Sequence, residues 1–280
     1  MKIALYYRHI DKEAESCLKE LIDTLHAKGI ETCVLETPTS DLRLPTCDFL
    51  FSIGGDGTLL SSVQFISPEL TETSMHSFAL PPILGINFGH LGFLTTVGRE
   101  NLHGMVEDLL AGYFSIEERT LLQLNTNHVT LNSPFALNEV FVHRAEEASL
   151  LRTEVYVDSQ YVATYAGDGV IVATPTGSTA YSLSCGGPIL TPDSRCLAIT
   201  PISAHTLTLR PIIVPDTAAV RLHVCDDGFL GIDSRRTTLA GDTDLTLCRA
   251  PFTIRLVRMN TQNFFSAIRD KLMWGTEVRM

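Results

Sequence analysis

Residues 49–60 read Phe-Leu-Phe-Ser-Ile-Gly-Gly-Asp-Gly-Thr-Leu-Leu. A short apolar run, Phe49–Ile53, meets three glycines that enclose one carboxylate, and an apolar helical pattern resumes after Thr58 to about residue 65. A buried strand, a glycine turn and a helix in that order form the opening of a β-α unit in a parallel sheet. The same alternation extends outward. Lys2–Tyr7, Thr32–Leu35 and Ile83–Asn87 read as further strands. Lys12–Ala27 reads as an amphipathic helix with Asp11 as N-cap and Gly29 as stop, and Arg99–Gly112 as another helix. Residues 67–81 read as a loop. The first half is therefore expected to be a mostly parallel sheet with helices on both faces.

Near residue 115 the texture changes. Leu151, Thr153, Val155 and Val157 alternate with polar neighbours, and Asp158-Ser159-Gln160 turns that strand into Tyr161–Ala166. Val170–Thr174, Arg221–Cys225, Leu245–Cys248 and Thr253–Val257 add strands. Residues 263–274 return to helical spacing. The expected division is 1–114 (α/β), 115–258 (β-rich) and a C-terminal helical segment, 259–280.

The chain has 280 residues, 45% hydrophobic and 19% charged, with a net charge of −11. That composition is globular, and its charge disfavours nonspecific binding to nucleic acid or to anionic membranes. Seven cysteines without a C-x-x-C spacing suggest reduced thiols and a cytoplasmic setting. No apolar run is long enough to span a bilayer.

In an open parallel sheet, ligands bind beyond the carboxyl ends of the strands. Gly54-Gly55-Asp56-Gly57-Thr58 occupies such a place. It has neither the lysine of a phosphate-binding Walker loop nor the G-x-G-x-x-G dinucleotide pattern. Asp56 is either a turn and capping residue or an acid beside bound phosphates, serving as a base or a metal contact. A second glycine-rich stretch, Thr174 to Pro188 (TPTGSTAYSLSCGGP), reads as turn, short helix and stop. Thr176 or Ser178 would cap the helix and leave N–H groups for an anion.

Asn138 and Glu139 lie in an apolar stretch, PFALNEVFVH. They read either as a solvent-facing pair on an edge strand or as a pair that binds sugar hydroxyls. Asp168, in AGDG, is a further carboxylate in a flexible turn. Residues 49–98 and 159–194 contain no Lys or Arg, so phosphates bound there would need backbone amides, a helix dipole and a divalent cation. Arginines from elsewhere in the fold remain a further source. His90 and His205 read as structural. Asp226-Asp227 and the pair Asp242 and Asp244 read as turns. Ser178, Ser182 and Ser184 lack a G-x-S-x-G setting, which argues against a serine hydrolase.

GGDGT (54–58), GINFGHLGFLT (85–95), LNEV (137–140), DG (168–169) and TPTGSTAYSLSCGGPIL (174–190) together resemble the NAD kinase family along nearly the whole chain. GGDGT alone also occurs in lipid kinases. The resemblance implies a Rossmann-like N-terminal α/β domain and a β-rich, sandwich-like C-terminal domain, with the last helix packing back on the first. It implies transfer of phosphate from ATP to the 2′-hydroxyl of the adenosine ribose of NAD, a divalent metal (Mg²⁺ foremost), a cytoplasmic location and a homodimer or homotetramer. By position, Asp56 looks like the base, and Gly54, Gly55, Gly57 and Thr58 like phosphate contacts. Asp56, Gly57, Asn138, Glu139, Asp168, Ser203 and the run Thr179, Ala180, Tyr181, Ser182, Leu183, Ser184 look like the dinucleotide contacts. Ala166, Phe229 and Ser61 stand where many members carry polar or basic residues. The rival readings are another GGDGT-type kinase with a lipid or sugar acceptor, a noncatalytic NAD(H)-binding regulator, and a phosphatase on the same scaffold.

Overall fold

Alternation along β1 (Lys2–Tyr7) sets the layers of the first half. Ile3 and Leu5 enter one apolar cluster, Ala4 and Tyr6 another on the opposite face. A sheet that is apolar on both faces must be covered on both. In this computed structural model, residues 1–8, 12–35, 44–65, 80–88, 92–131, 133–259 and 263–275 are described. Asp11, His90 and most of the predicted 67–81 loop lie outside them.

After β1 come α1 (Lys12–Ala27), β2 (Glu31–Leu35), β3 (Phe49–Ile53), α2 (Asp56–Ser62), β4 (Ile83–Asn87), β5 (Val97–Gly98) and α3 (Leu102–Ala111). The strands run parallel in the order β2-β1-β3-β4, with β5 beside β4. Leu18, Leu21 and Leu25 of α1 share one face with Met105, Val106 and Leu109 of α3. Leu59 of α2 and Val63 cover the other. Helix α2 begins at Asp56, three residues before the predicted start, so the acid forms part of the first turn.

The second half continues with β6 (Phe114–Asn125), β7 (Phe135–Ala136), β8 (Glu139–Arg144), β9 (Leu151–Val157), β10 (Gln160–Gly167) and β11 (Gly169–Ala173). A 3-10 turn (Thr176–Thr179) and α4 (Tyr181–Ser184) lead to β12 (Cys196–Ile202), β13 (Ile212–Pro215), β14 (Val220–Val224), β15 (Gly228–Ile232) and β16 (Arg235–Leu239). The chain closes with β17 (Thr243–Met259) and α5 (Phe264–Leu272). Six strands pair antiparallel in the order β13-β12-β11-β8-β15-β16. Val140, Val142, Val170, Val172, Leu197 and Ile199 from that sheet pack on Val155, Leu222, Leu245 and Leu247 from the other, which is the face-to-face packing of a sandwich.

β17 corrects one reading. The predicted strands Leu245–Cys248 and Thr253–Val257 are a single 17-residue strand. It pairs with β14 near its start, with β6 along most of its length, and with β4 at Leu256. The register with β6 shifts between Arg249 and Thr253, a bulge that bends the strand. The larger, 11-stranded sheet thereby passes from one half into the other. Helix α5 opens with a capping box between Asn263 and Ser266, and Lys271 Nζ lies 5.2 Å from the ring centre of Phe93 in the first half. No helix among the described residues is long and apolar enough to cross a membrane.

Candidate active site

Asp56 sits at the carboxyl end of β3, where Gly54 (φ 142°) turns the chain into α2. A side chain on Gly54 would meet Thr58 Oγ1 at 2.4 Å, so the hydroxyl packs where only glycine leaves room. Gly55 and Gly57 are exposed, with open space beside them. The Asp56 carboxylate meets a turn from far along the chain. Oδ2 accepts from the Phe93 N–H at 2.7 Å, and Oδ1 from the N–H groups of Leu94 and Thr95 and the Thr95 hydroxyl, each at 3.2 Å. An ionised carboxylate offers about four acceptor positions. Among the described residues Oδ2 carries one donor, which leaves a lone pair for a ligand. A Cβ on Gly92 would lie 1.6 Å from Asp56 Oδ1, so the turn reaches the acid only because residue 92 has no side chain.

The Asp56 station is joined to the Thr174–Pro188 stretch by charged groups that the local sequence pattern hides. Arg258 on β17 donates to the Phe93 carbonyl at 3.3 Å and to Glu117 Oε2 at 2.9 Å. Glu117 also pairs with Arg119, whose Nη1 lies 3.5 Å from Thr176 Oγ1. Burial pushes the Glu117 carboxyl up, but hydrogen bonding and charge from Arg258, then Arg119, outweigh it and hold the group below its usual range. Burial, then the charge of Arg258, lowers the Arg119 guanidinium. β6 and β17 thus supply cations that residues 49–98 and 159–194 lack.

Asn138 and Glu139 are buried, 7% and 6% exposed. They precede and begin β8, a central strand, which overturns the edge-strand reading. Asp233, in the turn between β15 and β16, accepts from the backbone N–H groups of Leu137, Asn138 and Glu139 at 2.9, 2.8 and 3.2 Å. Among the described residues, Asn138 Oδ1 and Glu139 Oε2 have no hydrogen-bond partner. Burial, then the charge of Asp233, pushes Glu139 up to about 8. Two buried oxygens without partners are costly unless a ligand or water satisfies them. Glu139 and Phe141 share the outer face of the six-stranded sheet with Ile171 and Ala173, and Tyr181 of α4 packs edge-on against Phe141 with centroids 5.3 Å apart. Leu137 lies in the same apolar cluster as Leu59 and Leu94, which flank Asp56 and its turn.

The cap expected from Thr176 or Ser178 is absent. Thr174 Oγ1 accepts the Gly177 N–H at 3.2 Å, while the Ser178 hydroxyl is fully buried and tied to the backbone of Leu190. The start of this turn, residues 174–178, is buried by protein. A Cβ on Gly177 would strike the Asn138 carbonyl at 2.1 Å, so this glycine locks the turn onto the Asn-Glu pair. The Ser182 hydroxyl is bonded to Thr200 at 2.9 Å. Thr179, Ala180, Tyr181 and Leu183 are half-buried and Ser184 is exposed.

Asp168 belongs to a separate cluster. Arg144 Nε donates to its Oδ1 at 2.6 Å. The Arg144 hydrogen bond, with help from Ser203, holds its carboxyl below the usual range. In β11, Gly169 pairs with His143 and Ala173 with Glu139, so Asp168 and Glu139 stand at opposite ends of that strand, about 17 Å apart at the usual rise. Ser203 (φ 46°) is exposed beside Asp168. Arg144 is a half-buried cation that local reading missed. Ser61 donates to the Gly57 carbonyl and receives Arg8 at 3.4 Å, so a basic group reaches this position from the residue that follows β1. Among the described residues, no three His, Cys, Asp or Glu side chains converge as a metal cage.

Comparison with known proteins matches residues 39–114 to the ATP-NAD kinase N-terminal domain and residues 137–259 to the ATP-NAD kinase C-terminal domain. An NAD kinase of Porphyromonas gingivalis is 40% identical over 297 residues, 99% of each chain. One from Christiangramia forsetii is 35% identical over 303 residues and the full length of both. A crystal structure of an Archaeoglobus fulgidus NAD kinase in complex with ATP superposes with a TM-score of 0.79 at 25% identity, covering 98% of this chain and 99% of that one. Yeast NADH kinase complexed with NADH gives 0.85 at 23% identity, with coverage of 100% and 89%; at that identity the likeness is one of fold.

Proposed function

The chain belongs to the NAD kinase family, and from that membership we propose which of its own residues carry the reaction. It is an enzyme that phosphorylates NAD at the expense of ATP. In our reading the acceptor is the 2′-hydroxyl of the adenosine ribose, and Asp56 takes its proton. A ribose alcohol is a weak nucleophile, and phosphoryl transfer proceeds through positioning and charge stabilisation, with the proton leaving late. The observation that carries this reading is Asp56 itself: a carboxylate clamped by four donors, with a lone pair left on Oδ2 beside two exposed glycines.

The N–H groups of Gly55 and Gly57 would meet the donor phosphates. Asn138 and Glu139 would take ribose and base groups with their unpartnered oxygens, and Tyr181 would give the adjoining wall. Asp168 and Ser203 would touch the far end of the dinucleotide. The side chains of Ser178 and Ser182 serve the fold, so α4 contributes mainly Thr179, Ala180, Tyr181, Leu183 and Ser184. Among the described residues the side chains do not form a metal site by themselves, and in this reading a divalent cation would arrive on the triphosphate, as Mg²⁺ usually does, and neutralise charge there. The division at 114/115 and 258/259 follows the change of sequence texture, while a cytoplasmic location and a homodimer or homotetramer rest on the resemblance; all are part of the same reading.

The direct test is purified protein with ATP, Mg²⁺ and NAD, followed by NADP formation. We expect steady NADP production that stops when EDTA removes the cation, while NAD binding by calorimetry persists. Phosphate transfer to a lipid or sugar alone would overturn the acceptor, and dinucleotide binding without ATP use would overturn catalysis.

The close approach at Gly92 gives a second test. Gly92→Ala sets a methyl group against Asp56 Oδ1, and either the acid or the turn must shift. Turnover is expected to fall about 100-fold, with circular dichroism unchanged. Unchanged turnover would mean that the placement of this acid by the turn does not matter.

A further inference from the structure

Phe93 is held from three directions. Its N–H goes to Asp56 at 2.7 Å, its carbonyl receives Arg258 at 3.3 Å, and its ring lies 5.2 Å below Lys271 of the last helix. Arg258 is itself fixed. Its side chain is 11% exposed, and Glu117 holds its Nε at 2.9 Å. Glu117 also holds Arg119, which is 2% exposed and reaches Thr176. A planar guanidinium gripped at one edge has little freedom at the other. Whatever fixes Arg258 therefore fixes the Phe93 carbonyl, and with it the peptide whose neighbouring N–H groups clamp Asp56.

We propose that Arg258 is a positioning residue for the phosphoryl-transfer step: through the Phe93 carbonyl it sets the orientation of the Asp56 carboxylate, and Glu117 keeps it in register with the Thr176 turn. This rests on the reading of Asp56 as the proton acceptor. Arg258 itself touches neither Asp56 nor, in this reading, either substrate. Its loss should leave the dinucleotide contacts at Asn138 and Glu139 intact while misplacing the acid. A plain solvent-facing ion pair would behave otherwise. Such pairs contribute little, and removing one would change neither turnover nor affinity. The burial of Arg258 and its bond to a backbone carbonyl, with no other side chain at that oxygen among the hydrogen bonds described, set it apart.

The test is steady-state kinetics on Arg258→Ala, Glu117→Gln and Asp56→Asn, with wild type as reference. For Arg258→Ala we expect kcat to fall about 30-fold and the KM for NAD to stay within about twofold, because a misplaced reacting group costs rate and not binding. Added guanidinium ion should restore part of the rate. Glu117→Gln keeps the side-chain shape and removes the charge, so it carries the test if Arg258→Ala does not fold. Its kcat should fall about fivefold with KM unchanged. The proposal is overturned if kcat stays near wild type in the folded variants. It is also overturned if kcat and KM worsen together with no recovery by guanidinium, which is the pattern of general damage. If Asp56→Asn keeps full activity, the base assignment fails, whatever Arg258 does. If Asp56→Asn is inactive while Arg258→Ala behaves as wild type, only the present proposal fails.

Discussion

Asp56→Asn is expected to lower kcat by about three orders of magnitude while NAD affinity changes less than threefold, since removing a general base typically costs 10²–10⁴ in rate. The loss has two physical parts. The amide cannot take the ribose proton. It also presents an NH₂ group to a turn made of donors, because the N–H groups of Phe93, Leu94 and Thr95 converge on both carboxylate oxygens. An NH₂ facing an N–H leaves a buried donor unpaired, worth roughly 1–3 kcal/mol. A lower melting temperature should therefore accompany the lost turnover. Rapid-quench measurement of phosphate transfer and calorimetric titration with NAD separate the two quantities. Retention of more than a tenth of wild-type turnover would remove Asp56 from the chemistry.

Glu139→Gln should stabilise the free protein at alkaline pH and weaken its hold on NAD. The Glu139 carboxyl is pushed from 4.5 to about 8 by burial and by the charge of Asp233. In the unfolded chain it ionises near its ordinary value. Between the two values the folded protein keeps a proton that the unfolded chain has released. Folding stability from this group is therefore full below about pH 4.5 and is lost as pH rises through about 8. The largest possible loss is about 5 kcal/mol, from 1.36 kcal/mol per pKa unit. Glutamine is neutral at every pH and nearly the same shape. Denaturant unfolding should show the variant gaining clearly more at pH 8 than at pH 5. An equal change at both values would contradict a protonated Glu139. The KM for NAD should rise about tenfold, the cost of losing one hydrogen bond to a buried carboxyl. Stability surrendered for binding at a buried site is a common exchange in enzymes.

Much of the architecture lies in local pattern. The opposed faces of Ile3 and Leu5 against Ala4 and Tyr6, the 16-residue α1, and the hairpin at Asp158 and Ser159, both at positive φ, follow from periodicity and turn chemistry within a few residues. Locally β17 reads as two strands, Leu245–Cys248 and Thr253–Val257. Only the partner strand β6 reveals a bulge with pairing on both sides. The site divides in the same way. Asp56, Asn138, Glu139 and Asp168 stand out because carboxylates and amides are unusual among glycines and apolar residues. Their supports do not stand out. The turn that clamps Asp56 lies 37 to 39 residues away. Asp233 is 94 to 96 residues from the N–H groups it collects. Glu117, Arg119 and Arg258 look like the outward half of ordinary strands, yet Arg119 is buried. Long-range contacts decide which charge is solvated and which belongs to the site, and one-dimensional spacing does not record them.

The strand Thr243–Met259 has a further consequence, for how the chain withstands damage. Leu245 and Leu247 belong to one core, Ile254 and Leu256 to a second, and Val257 and Met259 to a third. A truncation or proteolytic nick within this strand would strip a partner from β6, β14 and β4 together. It would leave three ladders of bare amides, the kind of edge that recruits other chains. Fragments ending there are poor candidates for separate expression, and the two glycine-rich stations stay aligned only while that thread is whole.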